Sequence, residues 1–171
     1  MPLLDRDDGR RRLSSHIDRA CQELAMELVA FVYMPEHIHM LVNPLLPEPN
    51  LDRFLARLKQ PYSIEIKKLL VAVQSPLVRR LTVRERPGKH CFRFWQEGPG
   101  YDRNINSVDA LQASLNYIHM NPVRRGLCEK PTDWPWSSAR YYMLEPPRQQ
   151  FPDLPYIHGL PSGACDHQSD L

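Results

Sequence analysis

No stretch of about 18 consecutive apolar residues occurs in this sequence, which excludes an ordinary membrane-spanning helix. The N-terminal MPLLDRDDGRRR lacks the apolar core of a secretory signal. Four cysteines, Cys21, Cys91, Cys128 and Cys165, stand far apart without a C-x-x-C pair. Neither a disulfide framework nor a cysteine zinc site is signalled, and the thiols read as those of a reduced, cytoplasmic protein. Internal repeats and low-complexity linkers are also missing. What is present is a chain of 171 residues and 20.0 kDa, 42% hydrophobic and 25% charged, values that favour a packed core over disorder. One domain over residues 1–143 accounts for most of it. Five of the 28 residues from Leu144 onward are proline, which predicts a poorly ordered tail over 144–171.

The formal charge of +2 hides an uneven distribution. From Arg53 to Arg93 there are eleven Lys/Arg against only Glu65 and Glu85. A concentrated positive field attracts phosphate backbones, and a solvated basic face is the plainer account of the same residues.

Leu13, Ile17, Ala20, Leu24 and Leu28 recur at helical spacing and predict an amphipathic helix over residues 12–28, with Ser14 and Ser15 as candidate caps. LVAFVYM, a Pro35-Glu36 turn and the alternating HIHMLV predict a β-hairpin over residues 28–42. Helical spacing resumes at Leu51, Pro61 is expected to interrupt or kink it, and a second piece is predicted from Tyr62 to Leu70. Residues 74–101 read as loops with one or two short strands. A further helix, capped by Asn106 or Ser107, carries the stripe Val108, Leu111, Leu115 and Ile118 and is expected to end at Asn121-Pro122.

Two small constellations carry chemistry. His37 and His39, two apart on a strand, project from the same face as neighbours. They are either a two-nitrogen metal claw or a pair of hydrogen-bonded sheet residues. Tyr117 and Asn121 lie one turn apart on a helical face off the apolar stripe, where a phenol is reachable. The plainer account is a half-buried aromatic followed by a helix end.

The text MPEHIHMLV, RFWQEGPGYDRNI, NYIHMNPVRRGL and a DWPWSS close, in that order, resembles the single-tyrosine transposases of the HUH superfamily. The branch associated with repetitive extragenic palindromes is the nearest, and the similarity runs from about Pro2 to Leu144. The resemblance implies an α+β, ferredoxin-like (RRM-like) domain whose antiparallel sheet displays the histidines, with helices on one face and the tyrosine helix laid across. It implies His37 and His39 as metal ligands, Asn121 at the place of a polar third ligand, and Tyr117 as nucleophile. Mg²⁺ or Mn²⁺ is the implied cofactor. Single-stranded DNA containing an imperfect hairpin is the implied partner, met in the cytoplasm at the nucleoid by a monomer or a homodimer. A phenol is a poor nucleophile at neutral pH and a phosphodiester repels anions, so a cation is needed to neutralise the phosphate. Attack by Tyr117 would then give a 5′-phosphotyrosine link and a free 3′-hydroxyl.

Arg79, Arg80, Arg84, Arg86 and Lys89 are candidates to track a DNA backbone, and Trp95 to stack on a base, with core packing the alternative for Phe92, Phe94 and Trp95. Arg124 and Arg125 are candidates for phosphate contacts near the scissile position. Relatives begin with a strand that this sequence replaces by Met1-Pro2-Leu3-Leu4, so the sheet is expected to lack its first strand, exposing backbone groups beside the histidine strands. Two other functions stay open: a hairpin-DNA-binding module that has lost catalysis, and a small zinc hydrolase. The last lacks a third histidine or carboxylate at a familiar spacing. Glu36 reads as a turn residue, His119 points about 200° around the helix from Tyr117, and His16, His90, His158 and His167 read as surface or loop residues.

Overall fold

Asp7 and Asp8 open the first helix. Their carboxylates sit at its positive end and bridge to Arg10 and Arg12 one turn on, at 3.1 Å in each case, so α1 spans Asp7–Glu23. The helix thus starts and ends about five residues earlier than its apolar spacing predicts. Ser14 is no cap: its buried hydroxyl lies 3.1 Å from the Tyr33 hydroxyl and 3.1 Å from the Asp153 carbonyl. His16, expected at the surface, is buried on the same helix.

The computed structural model describes residues 3–96 and 102–161 and divides into two compact units. Residues 97–101 of the RFWQEGPGYDRNI motif, and Cys165 and His167, lie outside the described residues. The first unit comprises Met1–Pro49 and Arg103–Leu171, the second Asn50–Asp102. The architecture is α+β, as expected, with two short two-stranded antiparallel sheets. No helix among the described residues is long and apolar enough to cross a membrane.

In the first unit α1 is followed by the hairpin β1 (Met26–Tyr33) and β2 (Ile38–Pro44), which pairs Val32 with His39 and Phe31 with Met40. The 17-residue α4 (Val108–Arg124) packs Leu115 and Ile118 against Val29, Ala30, Val32 and Met34. Every β1 residue from Leu28 to Tyr33 is buried, whereas β2 is half-exposed from Ile38 to Asn43. β1 does not alternate because it has cover on every side. Leu115 and Ile118 pack on the face that carries Val32, and Ser14 of α1 reaches Tyr33, the next residue along.

Among the described residues, the outer edge of β1 is closed by loop and side-chain groups and an isolated bridge to Ser137 instead of a third strand. Tyr33 N–H donates to the Trp136 carbonyl (2.9 Å), and Ser138 N–H to the Phe31 carbonyl (3.0 Å). The Tyr142 hydroxyl donates to the Val29 carbonyl (2.7 Å), and His158 N–H to the Leu28 carbonyl (2.9 Å). Leu154 and Ile157 are buried, and Tyr156 N–H donates to Asp18 Oδ1 at 2.8 Å, so the segment before Pro161 is anchored on α1 and β1.

Pro122 does not end α4. The helix continues to Arg124 and closes with Gly126 N–H on the Val123 carbonyl and Leu127 N–H on the Pro122 carbonyl. Gly126 takes φ 66°, the left-handed conformation this closure needs and glycine adopts without strain. Ser107 caps the other end by accepting from Ala110 N–H (3.2 Å).

In the second unit Pro61 lies inside one continuous helix, α2 (Leu51–Ala72), instead of dividing it. Phe54, Leu58, Tyr62 and Ile66 form a single buried stripe across the proline, so both halves have the same face to bury and the lost hydrogen bond is tolerated. The stretch read as loops with one or two short strands holds two, the hairpin β3 (Thr82–Arg86) and β4 (Lys89–Phe92), preceded by a short helix that was not expected, α3 (Leu77–Leu81).

His119, two residues from Tyr117, is buried with its Nε2 2.8 Å from Ser138 Oγ, and burial lowers its pKa to about 4. Ser138 Oγ accepts from Phe31 N–H (2.9 Å) and donates to the Phe31 carbonyl (3.1 Å), so His119 supplies the N–H in their contact. The unfolded imidazole binds its proton first as the pH falls, so stability is full above about pH 6.5 and declines toward pH 4 by roughly 3 kcal/mol. Thermal unfolding midpoints across that range should show the decline, and His119→Gln should remove most of it.

Candidate active site

The hairpin turn carries the first two site residues. Met34 N–H donates to the His37 carbonyl (2.9 Å), closing the turn over Pro35 and Glu36, and β2 begins at Ile38. His37 and His39 are brought together: their rings lie edge to face with centroids 4.8 Å apart and their Nε2 atoms 3.1 Å apart. Both are half-buried. Desolvation lowers both pKa values, and in His39 the neighbouring His37 lowers it further. Neutral imidazoles, the ligating form, are therefore favoured at neutral pH. Two nitrogens held on one cation at about 2.1 Å and a right angle would sit about 3 Å apart, so this pair fits a shared ion by spacing and chemistry.

Tyr117 stands beside the pair in the same unit. Its ring lies edge to face with that of His39 at 5.4 Å between centroids, and the residue is 49% exposed. The Arg124 guanidinium lies over the Tyr117 ring, 5.5 Å from its centroid. The predicted reachable phenol is thus present. Asn121 is buried, one turn on, and its Nδ2 donates one N–H to the Tyr117 carbonyl at 3.3 Å, with Oδ1 as the amide's acceptor.

Glu36, read from the sequence as a mere turn residue, faces the site. Its Oε1 is 2.6 Å from Arg125 Nη2 and 3.9 Å from His37 Nδ1. The Arg125 hydrogen bond and charge hold the Glu36 carboxyl below the ordinary glutamate range. The signal available in the sequence was a carboxylate next to a histidine, with a basic pair past the tyrosine helix. His119 does not join the group, since it turns inward to Ser138.

The second unit holds the remaining candidates. Arg79, Arg80, Arg84, Arg86 and Lys89 are all exposed, and Lys89 Nζ pairs with Glu85 at 2.7 Å. Gly88, at φ 77°, makes the turn between β3 and β4 that presents Arg84, Arg86 and Lys89. Trp95 is committed in large part to packing. Its Nε1 donates to the Lys59 carbonyl (3.0 Å), and its ring meets Tyr62 and Phe94 at 5.5 and 5.1 Å. Phe94 is buried, and Phe92 lies under Lys67.

Residues 2–82, the segment with both hairpin histidines, match the family described as "Transposase IS200 like". Over that segment the chain is similar to the IS200-like transposases. A Haemophilus influenzae protein whose name carries the words REP-associated tyrosine transposase is 31% identical over 120 residues, covering 70% of this chain. The chain spans 62% of that relative's length. No solved structure matches the chain at a significant level. The family match stops before Tyr117, so the phenol's place beside His39 is an observation independent of it.

The ring protons of His37 and His39 should titrate with midpoints below 6.5 in an NMR pH series. His37→Ala should raise the His39 midpoint, since a second imidazole no longer disfavours its charge.

Proposed function

We propose that this IS200-like transposase relative is a DNA-processing enzyme that nicks and rejoins single-stranded hairpin DNA through Tyr117. The observation that carries the reading is the convergence, within one chain, of an exposed phenol and two neutral imidazoles whose Nε2 atoms are 3.1 Å apart. The residues fit a divalent cation: His37 and His39 would hold Mg²⁺ or Mn²⁺, with Asn121 Oδ1 as the third protein donor. When bound, the ion supplies neutralisation of the scissile phosphate.

The chain's own groups do the rest. Tyr117 Oη attacks phosphorus, the P–O3′ bond breaks, the phenolic proton leaves to solvent, and the departing 3′ oxygen takes up a proton. A 5′-phosphotyrosine and a free 3′-hydroxyl result. One phosphodiester replaces another, so the reverse attack by a 3′-hydroxyl rejoins strands without ATP. Arg124, stacked on the Tyr117 ring, places positive charge where the phosphate must approach. Burial of His119 two residues away fixes which face of α4 points outward, and so keeps Tyr117 reachable. Arg79, Arg80, Arg84, Arg86 and Lys89 track the DNA backbone, a sequence-independent contribution. The contact of His39 with Tyr117 in one chain supports a monomer with both motifs in cis over a homodimer.

Incubation with a labelled hairpin oligonucleotide and Mn²⁺ should yield a covalent protein–DNA adduct on a denaturing gel. Tyr117→Phe, the double change His37→Ala with His39→Ala, and chelation should each abolish it. Salt-sensitive hairpin binding by the wild-type chain with no adduct in either metal would instead identify a binding module without catalysis. Replacing Arg84 and Arg86 by alanine should flatten the dependence of log affinity on log salt by about 0.7 for each phosphate left without a cationic partner.

A further inference from the structure

Glu36 and the Arg125 bound to it are charged side chains at this site that the mechanism leaves without a task. Glu36 is held in the turn that carries His37, and a single carboxylate oxygen, Oε1, faces two partners: Arg125 Nη2 at 2.6 Å and His37 Nδ1 at 3.9 Å. We propose that Arg125, Glu36 and His37 form a positioning relay, in which the guanidinium fixes the carboxylate and the carboxylate selects the His37 tautomer protonated on Nδ1. His37 Nε2 is thereby kept as a lone pair directed at His39.

The argument is electrostatic and geometric. The 3.9 Å separation exceeds a hydrogen bond, yet a carboxylate at that distance attracts an N–H dipole and repels a lone pair, so the Nδ1–H form is preferred. In the cation-free protein the 3.1 Å contact between the two Nε2 atoms is a hydrogen bond when one of them carries the N–H. With His37 protonated on Nδ1, the donor must be Nε2–H of His39. The relay therefore assigns different tautomers to the two rings of the cation-free protein. Ligating histidines commonly owe their orientation to a carboxylate on the other ring nitrogen, and losing that carboxylate typically weakens metal binding about tenfold to a hundredfold.

The two adjacent arginines then divide their work. Arg124 stacks on Tyr117 and stays available to phosphate, while Arg125, bound to Glu36, links the end of α4 to the histidine turn. This assigns Arg125 to positioning instead of DNA contact. Only the use of the lone pair rests on the cation reading above, since the tautomer exists without metal or DNA.

Long-range ¹⁵N–¹H correlation spectra of the full chain at neutral pH read each ring's tautomer directly. Expected are Nδ1–H on His37 and Nε2–H on His39 in the wild type, with Glu36→Met moving His37 toward the Nε2–H form and Arg125→Met moving it in the same direction. Calorimetric Mn²⁺ affinity should fall about tenfold to a hundredfold in Glu36→Met, with the thermal unfolding midpoint retained. The exchange of Glu36→Arg with Arg125→Glu restores a bridge between turn and helix but puts a cation beside Nδ1, so tautomer and affinity should stay perturbed. A His37 tautomer indifferent to Glu36→Met, or full rescue by the exchange, would overturn the relay and leave a simple clasp. Failure of the Tyr117 chemistry is read separately, by the adduct gel.

Discussion

Ser138 Oγ is the point on which the site geometry depends. Buried under β1, it accepts from Phe31 N–H, donates to the Phe31 carbonyl and takes the imidazole N–H of His119. One hydroxyl thus joins the strand that pairs with the histidine strand to the helix that carries the tyrosine. Its worth lies in the cost of the alternative: an imidazole and a strand N–H left buried and unsatisfied would each cost about 1–3 kcal/mol. Because His119 and Tyr117 are two residues apart on a helix, about 200° around it, fixing the first inward fixes the second outward. The same constraint that stabilises the fold therefore delivers the phenol to His39.

Charge follows the division into units. Positive charge is concentrated in the second unit, with eleven Lys/Arg against five Asp/Glu over residues 50–102 and five of the eleven exposed on α3, β3 and β4, which suits a polyanion met through its backbone. Around the histidine turn the charges are instead matched in pairs at short range. Glu36 is bound to Arg125, and Arg124 lies on an aromatic face. The first arrangement is a diffuse attraction and the second is a placement device, and only the second depends on ångström-level geometry.

The sequence was legible where one residue's local setting decided its fate. The hairpin, the Pro35-Glu36 turn, the pairing of the two histidines and the Ser107 cap all follow from patterns within a few residues. Both internal prolines misled for a common reason: a buried stripe running past Pro61, and the packing of Pro122 itself in the interior, outweigh the loss of one helical hydrogen bond each. α1 was displaced because acidic residues at its start act through the helix dipole, a signal separate from apolar spacing. Glu36 was set aside since nothing local reveals that Arg125, 89 residues later, returns to it. The DWPWSS text served as a family mark, yet its physical role is to line β1.

That lining has a consequence for how the protein survives while being made. A strand whose run from Leu28 to Tyr33 is wholly buried and has one open margin is a template for fibril growth, and here the margin is sealed late, by residues 134–142 and then by His158. During synthesis the β1–β2 ribbon emerges more than a hundred residues before the last of its seals, His158, and its margin stays open until residues 134–158 arrive. A product broken off between Asn121 and Trp134 would have its tyrosine and histidines complete and this margin of β1 bare, which marks it for aggregation or proteolysis.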